Sequence, residues 1–156
     1  MAAVQPQYKE EVTTSGLTII TNDTRKGMDW YFPEVDPGEK PLGARVILQI
    51  RRTKKTSDGG IILASETKET ETWNTQVAKV ISLGSIAFCN RSTGEPWPEG
   101  AWAKPGDFVR CPRWGGDRWE VKIDGEEEPA LFVLFNDHEI ETVITRDPRD
   151  IKAFIL

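Results

Sequence analysis

The sequence predicts a small all-β domain built from short strands. Thirteen glycines and ten prolines are spread along the 156 residues, which is typical of many turns and unfavourable for long helices. Apolar and polar residues alternate at residues 118–123, as in a strand with one buried face. Six tryptophans and six phenylalanines can fill a compact core between such strands. We therefore expect no helix longer than about two turns.

Residues 1–40 are predicted to form an extension ahead of the main domain. Residues 5–11 are polar and expected to be irregular, whereas the β-branched run at residues 17–21 predicts a short strand. The aromatic cluster at residues 30–32 is too apolar to remain exposed, so we expect it to stack on the domain or on another subunit. A turn-rich linker at residues 36–41 marks the boundary.

The first strand of the domain is predicted at residues 45–51. One face carries Val46, Leu48 and Ile50, and Arg45, Gln49, Arg51 and Ile47 share the other. The basic run at residues 51–55 is interpreted as a solvated strand end. Further strands are predicted at residues 76–84, 108–111, 118–123, 130–135 and 140–144. The turn at residues 104–107 and the hairpin turn at Asp124 and Gly125 separate them.

Composition excludes several classes of function. The net charge of −5 opposes a general role in binding nucleic acid or anionic membranes. The same charge counts against an oligonucleotide-binding barrel that stacks bases on its aromatic rings. We expect a cytoplasmic protein, because no apolar run reaches membrane-spanning length and the N-terminus lacks a secretory pattern.

The cysteine and histidine content predicts neither a cofactor nor a metal. Cys89 and Cys111 are expected to be free, partly buried thiols rather than a disulfide or zinc site. His138 is the sole histidine, so no catalytic set is available, and we expect it to cap a turn or lie on the surface. The chain is therefore not expected to be an enzyme.

A glycine pair followed by three aliphatic residues lies inside a charged segment, at residues 57–63. The glycines give the backbone freedom, and the Lys, Thr and Glu flanks offer no apolar face. The aliphatic triplet is either a short buried strand or a segment kept for the groove of a partner, and the flanks favour the partner. A phosphate-binding loop is excluded, because no Gly-Lys-Ser/Thr sequence follows.

The order of these pieces resembles the chaperonin-10 (GroES-type) co-chaperonin family. The similarity covers roughly residues 41–144, and its segments are residues 41–46, 59–63, 80–84, 104–109, 124–126 and 136–144. Single segments such as the Lys-Pro-Gly-Asp turn are weak signals, whereas five segments in the right order are a strong one. The resemblance implies residues 1–40 as an N-terminal extension, 41–145 as a GroES-like co-chaperonin domain, and 146–156 as a C-terminal tail.

The resemblance further implies a small, partly open β-barrel that assembles into a homo-heptameric ring. Such a ring caps an ATP-driven GroEL-type chaperonin cylinder and encloses a client protein. Docking on the chaperonin's apical domains is implied for Gly59, Gly60, Ile61, Ile62 and Leu63, with the loop mobile when free. A roof hairpin is implied at Arg91, Thr93, Gly94, Glu95 and Trp97. The subunit interface is implied at Leu42, Arg45, Val46, Ile140, Val143 and Ile144, where the first and last strands are each expected to leave an unpaired edge.

Three departures from the family pattern indicate a specialised member, such as one encoded by a virus. These are the long extension, the tail after Ile144 and a bulkier roof segment with Trp97 and Trp102. The alternative function is a β-barrel structural or adaptor subunit of a larger assembly, such as a virus particle. In that case the loop would hold neighbouring subunits together. An ordered loop in the isolated oligomer would favour that alternative.

Overall fold

A computed structural model of the chain describes residues 7–12, 18–23, 27–53 and 75–151. The aliphatic motif at residues 57–63 and the apolar end of the chain at residues 153–156 lie outside these ranges. Where described, the chain contains no helix long and apolar enough to cross a membrane.

The described chain is mostly β, which confirms the predicted fold class. Strands β1 (Gln7–Val12) and β2 (Thr18–Asp23) pair with each other, and a single-turn helix α1 (Met28–Tyr31) follows. The prediction that residues 5–11 are irregular is wrong for residues 7–11, because β2 supplies a complete antiparallel partner for β1. The remaining strands are β3 (Arg45–Ile50), β4 (Val77–Leu83), β5 (Phe108–Arg110), β6 (Asp117–Val121), β7 (Ala130–Asn136) and β8 (Thr142–Val143). Short 3-10 helices occupy Asp137–Glu139 and Pro148–Asp150.

Strands β3 to β8 form one six-stranded antiparallel sheet in the order β6-β7-β3-β4-β5-β8. The expectation that the first strand leaves an unpaired edge is wrong, because β3 lies between β7 and β4 and hydrogen-bonds to both. The edges of this sheet are β6 and β8, which do not pair with each other, so the sheet remains partly open. A bulge interrupts the β3–β4 register between Ile47 and Leu48, and such an irregularity bends a strand.

One face of the sheet carries the main core. Val46, Leu48 and Ile50 of β3 are each at most 1% exposed, as the alternation in the sequence predicted. Their neighbours in this core are apolar residues of β4, β5 and β7, together with Phe88, Ala103 and Ile140. This core holds the sheet together and supports the loops at its ends.

The opposite face is also covered, although its sequence pattern is partly polar. Residues 28–37, here called the strap, pack across it. Val35 contacts a cluster around Ile47 and Phe132, while Tyr31 and Phe32 join Val77 in a second cluster. The expectation that the aromatic cluster at residues 30–32 packs on the domain is therefore confirmed.

Polar side chains of the sheet fasten the strap through its backbone. The Gln49 amide donates to the carbonyl oxygen of Pro33 at 2.8 Å, and the Trp119 indole donates to that of Pro37 at 2.8 Å. Gln49 is consequently only 2% exposed, despite lying on the face predicted to be polar. The strap thus acts as a second layer over the sheet.

Candidate functional site

The predicted roof hairpin, residues 89–100, is a tight exposed turn. Cys89 and Pro96 form an isolated β-bridge, and the Asn90 amide donates to the Glu95 carbonyl at 2.7 Å. The Asn90 side chain accepts from the backbone amide of Ser92 at 2.8 Å, which stabilises the turn locally. Four of the predicted roof residues, Arg91, Thr93, Gly94 and Glu95, are exposed there, whereas Trp97 is half-buried.

An aromatic cluster forms the base of the roof hairpin. The ring of Trp97 lies 5.4 Å from that of Phe88 and 4.8 Å from that of Trp102. Phe88 is 1% exposed and adopts a φ of 60°, a left-handed conformation that costs an ordinary side chain of order 1 kcal/mol. The strained residue is held from both sides, by packing and by a hydrogen bond.

The acceptor of that hydrogen bond is the carboxylate of Asp137, a residue that the sequence did not indicate as functional. The Asp137 carboxylate accepts from the Phe88 amide at 2.9 Å and from the His138 amide at 2.8 Å. Its own amide donates to the carbonyl of Ala44 at 2.9 Å. Asp137 is 2% exposed and thereby joins the start of β3 to the base of the roof hairpin. A charged residue directly after the apolar run of β7 was the available signal.

The six predicted interface residues fall into an exposed group and a buried or partly buried group. Leu42 and Val143 expose 67% and 42% of their surface, and Arg45 is exposed as well. Val46 and Ile140 belong to the main core of their own chain, and Ile144 packs partly on Tyr31 and Phe32. An apolar surface is therefore available around Leu42 and at the edge strand β8.

The connection between β3 and β4, residues 51–76, contains the predicted docking motif. The Gly59, Gly60, Ile61, Ile62 and Leu63 motif lies outside the described residues, but both ends of the connection are described. The Arg51 amide donates to the Val77 carbonyl at 3.0 Å, which holds the two ends side by side. Thr53 and Thr75 are 9% and 0% exposed, so each end is fixed in the protein.

The interpretation of the basic run as a solvated strand end is wrong for its first residues. Arg51 and Arg52 are only 7% and 3% exposed. Both guanidinium groups bind backbone carbonyl groups from distant segments of the chain, including Trp30 and Pro148. Such acceptors leave no trace in the local sequence, which explains the error.

The structure also describes both cysteines and the one histidine. Cys89 and Cys111 are free thiols, half-buried and buried respectively, as expected. His138 is exposed and lies at the 3-10 helix after β7, in agreement with a surface or capping role. Within the described ranges, no group of three or more His, Cys, Asp or Glu residues could hold a metal ion.

Comparison with known proteins assigns this arrangement to a family. The family model for the chaperonin 10 kDa subunit matches residues 39–144, which contain the whole six-stranded sheet. The chain belongs to the chaperonin-10 family. Its membership makes it a co-chaperonin, and it confirms the resemblance inferred from the order of the sequence motifs.

Several bacterial co-chaperonins are similar to this chaperonin-10 chain. The Co-chaperonin GroES of Ligilactobacillus salivarius is 32% identical over 105 residues, covering 67% of this chain and 97% of the relative. Co-chaperonin GroES from Cutibacterium acnes is 32% identical over 107 residues, or 69% of this chain and 95% of the relative. The Thermus thermophilus protein of the same name is 31% identical over 111 residues, or 71% and 96%.

Besides β1 and β2, the family match excludes two segments that the structure describes. The strap ends before the match begins at residue 39, and the 3-10 helix Pro148–Asp150 follows the end of the match at residue 144. Both segments nevertheless pack on the chaperonin-10 sheet, because Ile151 joins Tyr31, Phe32 and Val77 in one buried cluster. This chain therefore adds its own layer to the family fold.

Proposed function

We propose that the protein assembles into a homo-heptameric ring that caps an ATP-driven, GroEL-type chaperonin cylinder and encloses a folding client. The observation that carries this proposal is the chaperonin-10 match over residues 39–144, from before β3 to the end of β8. Relatives named Co-chaperonin GroES align over 95–97% of their own length, so the chain contains nearly all of what they contain.

The docking element of this ring is the segment Gly59, Gly60, Ile61, Ile62 and Leu63, which binds the apical domains of the chaperonin. Burial of each aliphatic side chain contributes roughly 1.5–3 kcal/mol, while ordering of such a segment costs ~2–5 kcal/mol. One segment alone is a weak ligand. A ring of linked segments gains about 10²–10⁴ in avidity, and a modest change in the partner then releases all of them together.

Exposed side chains support the assignment of the roof and of the subunit interface. The exposed turn with Arg91, Thr93, Gly94 and Glu95 is suited to the roof of the enclosed chamber, with Trp97 beneath it. Leu42 and Val143 expose large apolar side chains that a neighbouring subunit would cover. Arg45 and Ile144 lie beside these residues in the sequence, while Val46 and Ile140 support the interface from inside the core.

The experiment replaces Ile61, Ile62 and Leu63 together with serine. We expect nucleotide-dependent co-sedimentation with a purified GroEL-type chaperonin to be lost, while circular dichroism, the melting curve and the ring observed by native mass spectrometry stay unchanged. The matched control replaces the nearby residues Thr67, Thr70 and Thr72 with serine, which keeps the loop composition polar.

Continued binding by the triple Ser variant would refute the docking assignment. Unfolding or loss of the ring would instead place the three aliphatic residues in the core or between subunits. That second result would favour the structural or adaptor function.

A further inference from the structure

Two adjacent arginines at the end of β3, Arg51 and Arg52, bind segments that lie outside the family match. Burying a guanidinium group is costly unless its donors find acceptors. Both side chains are less than 10% exposed, at 7% and 3%, so their partners are part of the fold rather than surface contacts. These two residues are called the clasp below.

Arg52 joins the strap to the turn between β6 and β7. Its guanidinium donates to the carbonyl oxygen of Trp30 at 3.3 Å and lies 5.7 Å from the centre of that indole ring. On the other side it donates to the Glu128 carbonyl at 2.6 Å and pairs with the Glu126 carboxylate at 3.1 Å. The Arg52 amide also donates to the Tyr31 carbonyl at 3.0 Å. One residue thus fixes two segments at the start of the β3–β4 connection.

Arg51 fastens the C-terminal segment to the same place. Its guanidinium donates to the carbonyl oxygens of Pro148 and Ile151, each at 2.5 Å. Its amide pairs with Val77, the first residue after the other end of the connection. The N-terminal strap and the C-terminal segment are therefore both tied to the paired ends of the connection.

We propose that the clasp positions the chaperonin-docking segment, and that the strap and the C-terminal segment are needed for full chaperonin affinity through it. This inference rests on the proposed function. Residues 54–58 alone separate the fixed Thr53 from Gly59 in the sequence. The avidity of linked sites is greatest when the linker matches the span, and it falls as the free linker lengthens. Without the Arg51 and Arg52 contacts, the last anchor ahead of the docking motif moves back towards β3 in every subunit of the ring.

The test compares Arg52→Gln with Arg118→Gln. Arg118 serves as the control because, although only half-buried, it likewise donates to three carbonyl groups, those of Gly115, Pro112 and Arg113 in the β5–β6 connection. Each variant is assayed for its Tm, for its ring by native mass spectrometry, and for ATP-dependent co-sedimentation with a purified GroEL-type chaperonin.

We expect both variants to melt at lower temperature and to keep the ring. Arg52→Gln should weaken the apparent chaperonin affinity by at least about tenfold, a fraction of the ~10²–10⁴ avidity gain, while Arg118→Gln stays within about twofold of the wild type. If Arg52→Gln does not fold, Arg52→Lys replaces it, since lysine keeps the charge but lacks the planar fork needed for several acceptors.

Equal affinities for Arg52→Gln and the wild type, or equal losses in both variants, would overturn the positioning role of the clasp. A wild-type ring that fails to bind the chaperonin would instead refute the proposed function itself. The two failures are therefore distinguishable in one set of assays.

Discussion

At the scale of single residues, the buried thiol of Cys111 is expected to make the folded protein less stable at alkaline pH. Cys111 is 0% exposed, and burial raises the pKa of its thiol from 9.0 to about 12, although the positive charge of Arg118 acts in the opposite direction. Between these two values the unfolded chain loses the thiol proton while the folded chain keeps it. The unfolded state then binds fewer protons, so the free energy of unfolding falls as the pH rises above 9.0.

The measurement is urea denaturation between neutral pH and pH ~10.5, on the wild type and on Cys111→Ala, because a shifted thiol contributes about 1.4 kcal/mol per pH unit. Cys111→Ala is expected to be less stable at neutral pH, since it leaves a small cavity. Its alkaline loss should be shallower than that of the wild type. Parallel losses in the two proteins would show that other groups cause the decline.

At the scale of structural elements, the strap is expected to be required for stability. Tyr31 and Phe32 are 4% and 3% exposed, and burial of each such side chain contributes roughly 1.5–3 kcal/mol. Deleting residues 1–38 should lower the Tm by roughly 6–12 °C, because a loss of ~3 kcal/mol shifts the Tm of a chain of this size by that amount. Deletion of residues 1–26 keeps every strap contact and serves as the control in the same circular dichroism melts. Equal melting of both truncations would leave the extension with another role, such as recruiting a client.

The sequence predicted most strands of the sheet but not how the outer face is covered. Alternation located β6, the apolar run located β7, and Asp124 with Gly125 located the turn between them, because these signals are local. Burial of Gln49 was not predictable, since its acceptor is the carbonyl group of Pro33 on the strap. The same holds for the clasp and for Asp137, most of whose partners are backbone groups far away in the sequence. The predicted docking motif lies outside the described residues, so its role stays a prediction.

At the scale of the whole molecule, a ring is expected to form through two exposed apolar residues, Leu42 ahead of β3 and Val143 on the edge strand β8. Native mass spectrometry at micromolar concentration should show a heptamer. Replacing Leu42 and Val143 together with glutamate should release monomers, because a closed symmetric ring would bury like charges at every interface. Leu42→Met with Val143→Ile keeps the apolar surface and should remain a ring. A monomeric wild type would contradict this expectation.

The position of β3 in the middle of the sheet also has a consequence for how the chain folds as it is made. Arg45 at the start of β3 pairs with Asn136 at the end of β7, so this pairing closes a long stretch of chain. Such non-local contacts are slow to form, on a timescale of roughly milliseconds to seconds in all-β domains. The strap leaves the ribosome early but cannot complete its layer until β6 and β7 have emerged. A protein of the co-chaperonin family thus commits to its own fold only after β7 has been synthesised.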